Sequence, residues 1–390
     1  MDALFHAAPY IGYVYPNETV VPWGILIVVY PYLTGLVAGA FVVSAFYHVF
    51  GLEQFRPVAR FALLTALALM VFVPLPLLLH LGRPERAFNA MLTPHWTSAF
   101  AAFSYAASFY VFILMLEIWF AFRADVVRYA QAALGPRRAF YYALALGSLD
   151  VSENALRHDR AWAHGLAIVG VAAAMLLHGY VGFVFGSLKS REWWGSDLMP
   201  VIFLLSAAVS GIALLIVLYV IACGVRRETP DDGALQGLTR ALWGFLIAVV
   251  VMEVLEFVTL LYKSREGIET VMELLAGPIR TTLLLQAIGS AIPLAVLTAL
   301  VASGTRGRRL VLWLSACSVL IVLAVFAMRW NVVIGGQELS KTMKGLVTYQ
   351  LPFWGREGLL AVSLILAAPL ALLAVLVRLF PPWETRAGSV

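Results

Sequence analysis

Apolar residues run through this chain in blocks of about 20 or more, separated by short polar gaps. A helix of that length, rising about 1.5 Å per residue, crosses roughly 30 Å of hydrocarbon. Nine such blocks are predicted, at approximately 22–50, 59–80, 97–122, 162–188, 198–225, 241–263, 281–303, 310–329 and 357–379. The sequences Leu81-Gly-Arg-Pro84, Gly224-Val-Arg-Arg227 and Arg306-Gly-Arg-Arg309 mark exits between them. Residues 124–161 mix Arg137, Arg138, Asp150, Glu153, Arg157 and Asp159 with short apolar pieces, which predicts a loop carrying an interfacial helix. The pattern as a whole predicts an all-α polytopic membrane protein with about nine transmembrane helices.

Composition supports that reading. Of the 390 residues 62% are hydrophobic and 13% charged, too few charges to coat a soluble globule of this size. The net charge is +5, but the basic residues are scattered over the gaps, so no nucleic-acid partner is expected. Their distribution reports orientation instead. Eleven of the 27 lie on the side of the N-terminus and sixteen on the other, densest between Arg123 and Arg160, which predicts an outer N-terminus and a cytoplasmic C-terminus. The N-terminal segment 1–21 lacks Lys and Arg and has no short apolar core with a cleavage site, so no removable signal peptide is expected. Two cysteines, Cys223 and Cys317, are too few for the four thiolates of an iron–sulfur cluster, which places any such cluster in a partner.

Ionisable groups well inside a span are costly and mark candidate function. Here they are Glu117 in span three, Glu253 and Glu256 in span six, and His178 in span four, with Tyr30, Tyr32 and Tyr180 as polar aromatics at depth. Glu253 and Glu256 stand three apart and share a helical face. They read either as a proton-handling pair or as neutral acids tying helices together. Tyr30, His178, Tyr180 and Glu256 all fall about 10–12 Å inside the outer ends of their spans, with His80, Arg83 and Arg329 capping that level from the surface. An outer-leaflet polar pocket follows if these helices are neighbours. No span carries two buried histidines at the spacing stacked haems require, so neither haem nor a metal site is expected.

Three ordered motifs then carry a resemblance. His80-Leu-Gly-Arg-Pro-Glu-Arg-Ala-Phe-Asn89 is followed by Thr93-Pro-His-Trp-Thr-Ser98. His178-Gly-Tyr-Val-Gly182 leads through Trp193-Trp-Gly-Ser196 to Met199-Pro200 and Phe203-Leu-Leu-Ser206. Arg329-Trp-Asn-Val-Val-Ile-Gly-Gly-Gln337 precedes Ser340-Lys341. Together they resemble the NrfD/PsrC family (polysulfide reductase, NrfD-like) of membrane subunits. Pro352-Phe-Trp-Gly-Arg-Glu357 is similar to the branch typified by HybB and DsrP, although the Pro22-Trp-Gly24 entry already opens span one, so that branch's first helix is missing.

The resemblance implies two four-helix bundles, 22–188 (with a cytoplasmic loop 123–161) and 198–329, then an outer loop 330–356, a ninth helix 357–379 and a cytoplasmic tail 380–390. It implies a multi-pass subunit of the bacterial cytoplasmic membrane that binds menaquinone or ubiquinone, without haem or a cluster of its own. The implied partners are a ferredoxin-like iron–sulfur subunit on the outer side and a catalytic oxidoreductase subunit, molybdopterin, nickel–iron or sulfite-reductase-linked, with sulfur metabolism as one setting. Carried onto this chain, quinone chemistry falls to Tyr30, His178, Tyr180 and Glu256, quinone binding to Tyr30, His80, Arg83, His178 and Tyr180, a proton path to Glu117, Glu253 and Glu256, and partner docking to Arg329 and Gln337. Trp193 and Trp194 read as an interfacial belt. His48 and His164 read as inner entry points for protons. A secondary transporter and a haem-bearing membrane cytochrome are the alternatives, although no inverted repeat of broken helices supports the former.

Overall fold

The computed structural model of the chain describes residues 20–383 apart from 99, 189, 190, 192 and 264–266. Residues 1–19, with His6, and 384–390 lie outside the described residues, as do Lys189 and Arg265 of the charge count. Among the described residues nine helices are long and apolar enough to cross a membrane: Ile25–His48, Glu53–His80, Ala101–Ala132, Glu153–Gly186, Met199–Arg226, Asp232–Lys263, Arg280–Ser303, Gly307–Glu338 and Leu359–Leu379. They are called spans one to nine. Helix ends level with the start of span one are called outer, and the opposite ends inner, following the charge-based expectation.

The boundaries follow local chemistry. Span two is two helices, Arg56–Met70 and Pro74–His80. Pro74 and Pro76 have no N–H to give to Met70 and Phe72, and their rings clash with those carbonyls, so the ladder breaks there. Spans three and four run well beyond the apolar blocks, to Ala132 and back to Glu153. The charges that mark an exit in the sequence are paired instead. Arg123 Nε donates to both carboxyl oxygens of Asp159 at 2.8 and 2.7 Å, and Arg60 pairs with Asp125. Ser152 caps span four by accepting from Ala155 N. Within 124–161, where a loop with an interfacial helix was expected, the structure has a separate helix, Pro136–Leu144.

Spans one to four pack as one bundle, with span one against two and four, and span three against both as well. Spans five to eight form a second bundle in the same cyclic way. Spans one and four meet span five at the seam, and span one also meets span eight. Close approach at the seam depends on glycine. A Cβ on Gly39 would stand 2.3 Å from the Ala207 carbonyl oxygen, and one on Gly211 would stand 2.4 Å from Gly39 Cα. Without water to drive helices together, such small-residue contacts supply the dispersion that joins them. Span nine lies against span two, where the Trp383 ring that follows it stacks on Phe61 at 5.4 Å.

Span eight ends in a π-helical turn, Asn331–Gly335, continued by Gly336–Glu338. This segment closes the outer end of the seam. Gln337 accepts from Trp23 N at 2.8 Å and donates to Trp23 O and Val333 O, both at 2.9 Å. Trp194 donates to Val332 O at 2.6 Å and stacks on Trp23, leaving room for only a hydrogen at Gly336. The Tyr349 hydroxyl accepts from Ile25 N at 3.0 Å, and burial pushes that phenol up from its ordinary value.

Candidate functional site

The centre of the seam is a buried guanidinium. Arg329, the last basic residue of span eight, is 0% exposed. Its Nη2 donates to Ser206 Oγ at 2.8 Å, His178 Nε2 at 3.2 Å and Phe203 O at 3.3 Å, while its Cζ lies 3.8 Å over the Phe203 ring. Four spans meet here, because His178 also packs on Gly35 of span one. Arg329 was expected at the outer surface, docking a partner with Gln337, and this is corrected. Both are buried, and Gln337 clamps span one to the segment after span eight. A basic residue closing an apolar block normally marks an exit; the chain instead continues helically past it and folds over it.

The contact with Arg329 fixes the histidine. A guanidinium only donates, so where Arg329 bonds His178 Nε2 the imidazole accepts there and carries its proton on Nδ1. That N–H is buried and has no partner. Tyr30, on span one, is nearly buried, its ring set edge-on to Phe103 at 5.6 Å. Its hydroxyl makes no hydrogen bond among the described residues. Tyr30 lies five residues outward of Gly35, about 7.5 Å along the axis from the level of His178. The Tyr30 hydroxyl and His178 Nδ1 therefore stand at neighbouring depths of one bundle, with Tyr30 about 140° around span one from the Gly35 face that meets His178.

The other residues expected with them separate. Tyr180 is two positions from His178, about 200° around the helix, and its half-buried ring lies against Phe183 of the same span. His80 contacts Glu357 at 3.1 Å, joining the outer end of span two to the start of span nine. Arg83 is exposed in the outer loop. Trp194 is core rather than an interfacial belt, while Trp193 turns its edge to Phe257 in the second bundle.

Glu253 and Glu256 line a cleft of about 80 Å³ between spans five to eight, walled by Met199, Ile202, Phe257, Leu260, Leu283 and Met328. Ser196 donates to Glu256 at 2.6 Å. Gln286 hydrogen-bonds Glu253 and accepts from Asn331 Nδ2 at 2.8 Å, and Asn331 in turn accepts from Thr282. Sequence reasoning missed Gln286 and Asn331. A carboxamide in span seven was the available signal, but only charged and aromatic groups were counted as expensive. Glu256 also lines an outer recess of about 340 Å³, with Asp197, Thr259 and Lys263. Glu253 and Gln286 line a small void, about 10 Å³, that reaches inward to Ser206 and Ser290. Polar groups thus run from the outer recess through Glu256, Glu253 and Ser206 to Arg329 and His178. Glu117 is elsewhere, buried in span three of the first bundle. The expected single path through all three glutamates is therefore two separate regions.

A polytopic protein of two four-helix bundles, with a buried cationic junction between them, is the class this architecture defines. The chain belongs to the NrfD family: the family model described as "Polysulphide reductase, NrfD" matches residues 15–340. Among similar proteins are a selenate reductase subunit from Mesobacillus selenatarsenatis, 32% identical over 80% of this chain and 73% of that one, and the Hdr-like menaquinol oxidoreductase integral membrane subunit of Archaeoglobus fulgidus, 26% identical over 81% and 71%. The membrane subunit of a putative dimethyl sulfoxide reductase from Halobacterium salinarum is 27% identical over 60% of this chain and 51% of its own length. Membership gives the chain the coarse role of a membrane anchor in electron transfer, within an oxidoreductase complex that has other subunits.

Proposed function

We propose that this chain exchanges electrons between membrane quinone and an outward-facing iron–sulfur subunit, which in turn serves a catalytic oxidoreductase subunit. The observation that carries the reading is the buried His178 Nδ1, which has no partner while Nε2 faces Arg329, with the Tyr30 hydroxyl about 7.5 Å further outward in the same bundle. Buried donors normally find acceptors, and two donors at neighbouring depths suit the two carbonyl oxygens of a quinone. The name of one relative, a menaquinol oxidoreductase subunit, agrees with this chemistry.

A bound quinone would supply two-electron, two-proton redox chemistry. His178 and Tyr30 would hold its carbonyl oxygens, and the Arg329 guanidinium behind the imidazole would favour negative charge at the His178 end of the site. The groups from Ser206 through Glu253 to Glu256 exchange protons with the outer recess, with Glu256 as the terminal acceptor. With Arg329 and Gln337 buried, docking falls to exposed outer loops carrying Arg83, Arg86, Trp354 and Arg356. The orientation, outer N-terminus and cytoplasmic C-terminus in a bacterial inner membrane, belongs to the same proposal.

Quinol-coupled turnover of the assembled complex tests it. His178→Ala and Tyr30→Phe should each depress turnover and weaken a quinone-site inhibitor, while iron–sulfur signals appear in the complex and not in this chain alone. If both variants turn over and bind inhibitor as the parent does, the site is wrong.

A further inference from the structure

The inner half of the first bundle contains polar atoms that the seam and the cleft do not use. Ser44 Oγ, Tyr110 hydroxyl and both carboxyl oxygens of Glu117 are buried and have no hydrogen-bond partner, as is His48 Nε2. They are not scattered. Phe41 meets Tyr110 ring to ring at 5.7 Å, and spans one and three run in the same direction from that point. Seven residues further on, about 10 Å along both axes, His48 and Glu117 reach a common level. Phe41, Ser44 and His48 form one helical stripe, and Tyr110 and Glu117 another, so the stripes face each other. Span four fixes the same register independently: Gly170 lies against Phe41, and six residues inward His164 Nδ1 lies 2.6 Å from His48 O.

The stripe has a mouth. His48 and Arg60 also line an inner vestibule of about 1390 Å³, which extends to Arg56, Tyr219, Arg226 and Arg308. Arg60 itself is held by Asp125 and lies over Phe122 at 4.1 Å, and Asp159 is taken by Arg123. The Arg60 pairing leaves its Nε buried and without a partner as well, and neither carboxyl oxygen of Glu117 reaches any donor among the described residues. A carboxyl group with both oxygens unmet in an apolar core would be strongly disfavoured, whereas buried polar groups that lack protein partners are ordinarily met by ordered water.

We propose that the inner half of the first bundle holds a file of water molecules, entered from the inner vestibule at His48 and ending at Tyr110, with Glu117 as its proton-binding group. Outward of Tyr110 the Phe41 ring closes the file. The next unpartnered polar atom, His178 Nδ1, belongs to a side chain packed on Gly35, six residues or about 9 Å outward of Phe41. Water and protons therefore reach Glu117 from the inner side and stop short of the seam. The file does not depend on the quinone reading.

Side-specific thiol labelling tests it in the full chain, with Cys223→Ser and Cys317→Ser removing the native thiols. Ser44→Cys should react with a membrane-impermeant trimethylammonium methanethiosulfonate added on the side that labels Ala139→Cys in the inner loop, and not from the opposite side. Val43→Cys, buried on another face of span one, should react on the order of tenfold more slowly, because only a thiolate attacks and an apolar surrounding suppresses it. Equal rates at the two positions, or entry from the opposite side, would overturn the file. Infrared difference spectra of the parent and Glu117→Gln keep the test independent of the cysteine variants. A carboxyl band lost in Glu117→Gln should shift promptly when the medium is changed to D2O. A band that stays unshifted overturns the proposal even if quinone turnover is normal.

Discussion

The His178–Arg329 junction and the Glu253–Glu256 cleft both lie within about three helical turns of the outer ends of their spans, and they are built differently. At the junction a fixed charge is sealed between four spans, and the imidazole is held in one tautomer with one donor to spare. In the cleft two carboxyl groups are hydrogen-bonded by Ser196 and Gln286, and Glu256 also lines the neighbouring outer recess. A sealed site suits orienting a headgroup and stabilising charge; an open one suits exchanging protons with the medium. The difference suggests why one outer-leaflet level needs two kinds of polar group.

The sharpest way to break this comparison is to remove the sealed charge. Arg329→Met should lower quinol-coupled turnover on the order of a hundredfold or more, the usual cost of losing a preorganised electrostatic group. Arg329→Lys should recover part of it, since the charge returns without the planar fork. Complex yield measured alongside separates this from misassembly; identical losses in Met and Lys variants would make Arg329 a packing residue.

Glu256→Gln probes the open side. It keeps the shape and the Ser196 contact but removes the proton acceptor, and turnover should fall about tenfold to a hundredfold, at or below the low end for a lost general base. Inhibitor affinity should stay near the parent's, because the headgroup is held at the junction. A large loss of inhibitor affinity would move the headgroup into the cleft.

These two variants also show what was legible in the sequence. Spans were visible because apolar length is a one-dimensional property, and even the fractured span two was countable. The inner extensions of spans three and four were hidden because Arg123 and Asp159 neutralise each other across 36 positions, a pairing that no local pattern reports. Arg329 was misplaced for a related reason: a charge after an apolar block looks like an exit until the following residues are seen to fold back over it. The grouping of Glu117 with Glu253 and Glu256 failed because depth can be estimated from one helix, whereas bundle membership depends on which helices touch. Tyr180 is different. Its two-residue offset from His178 already places it on another face, so periodicity alone could have separated them.

Smaller effects refine the contrast. Ser196→Ala removes one neutral donor to Glu256, worth about 1 kcal/mol, and should slow turnover roughly fivefold or less while leaving assembly intact. Tyr180→Phe should change turnover by no more than about twofold, because the side chain lies on a different face of span four from His178. A tenfold loss there would return Tyr180 to the site.

The most direct measurement is an experimental structure of the assembled complex with quinone bound. The account predicts one headgroup carbonyl oxygen about 2.7–3.2 Å from His178 Nδ1, with Tyr30 towards the other. A headgroup seated against Glu253 and Glu256 instead, with His178 Nδ1 still unmet, would contradict it.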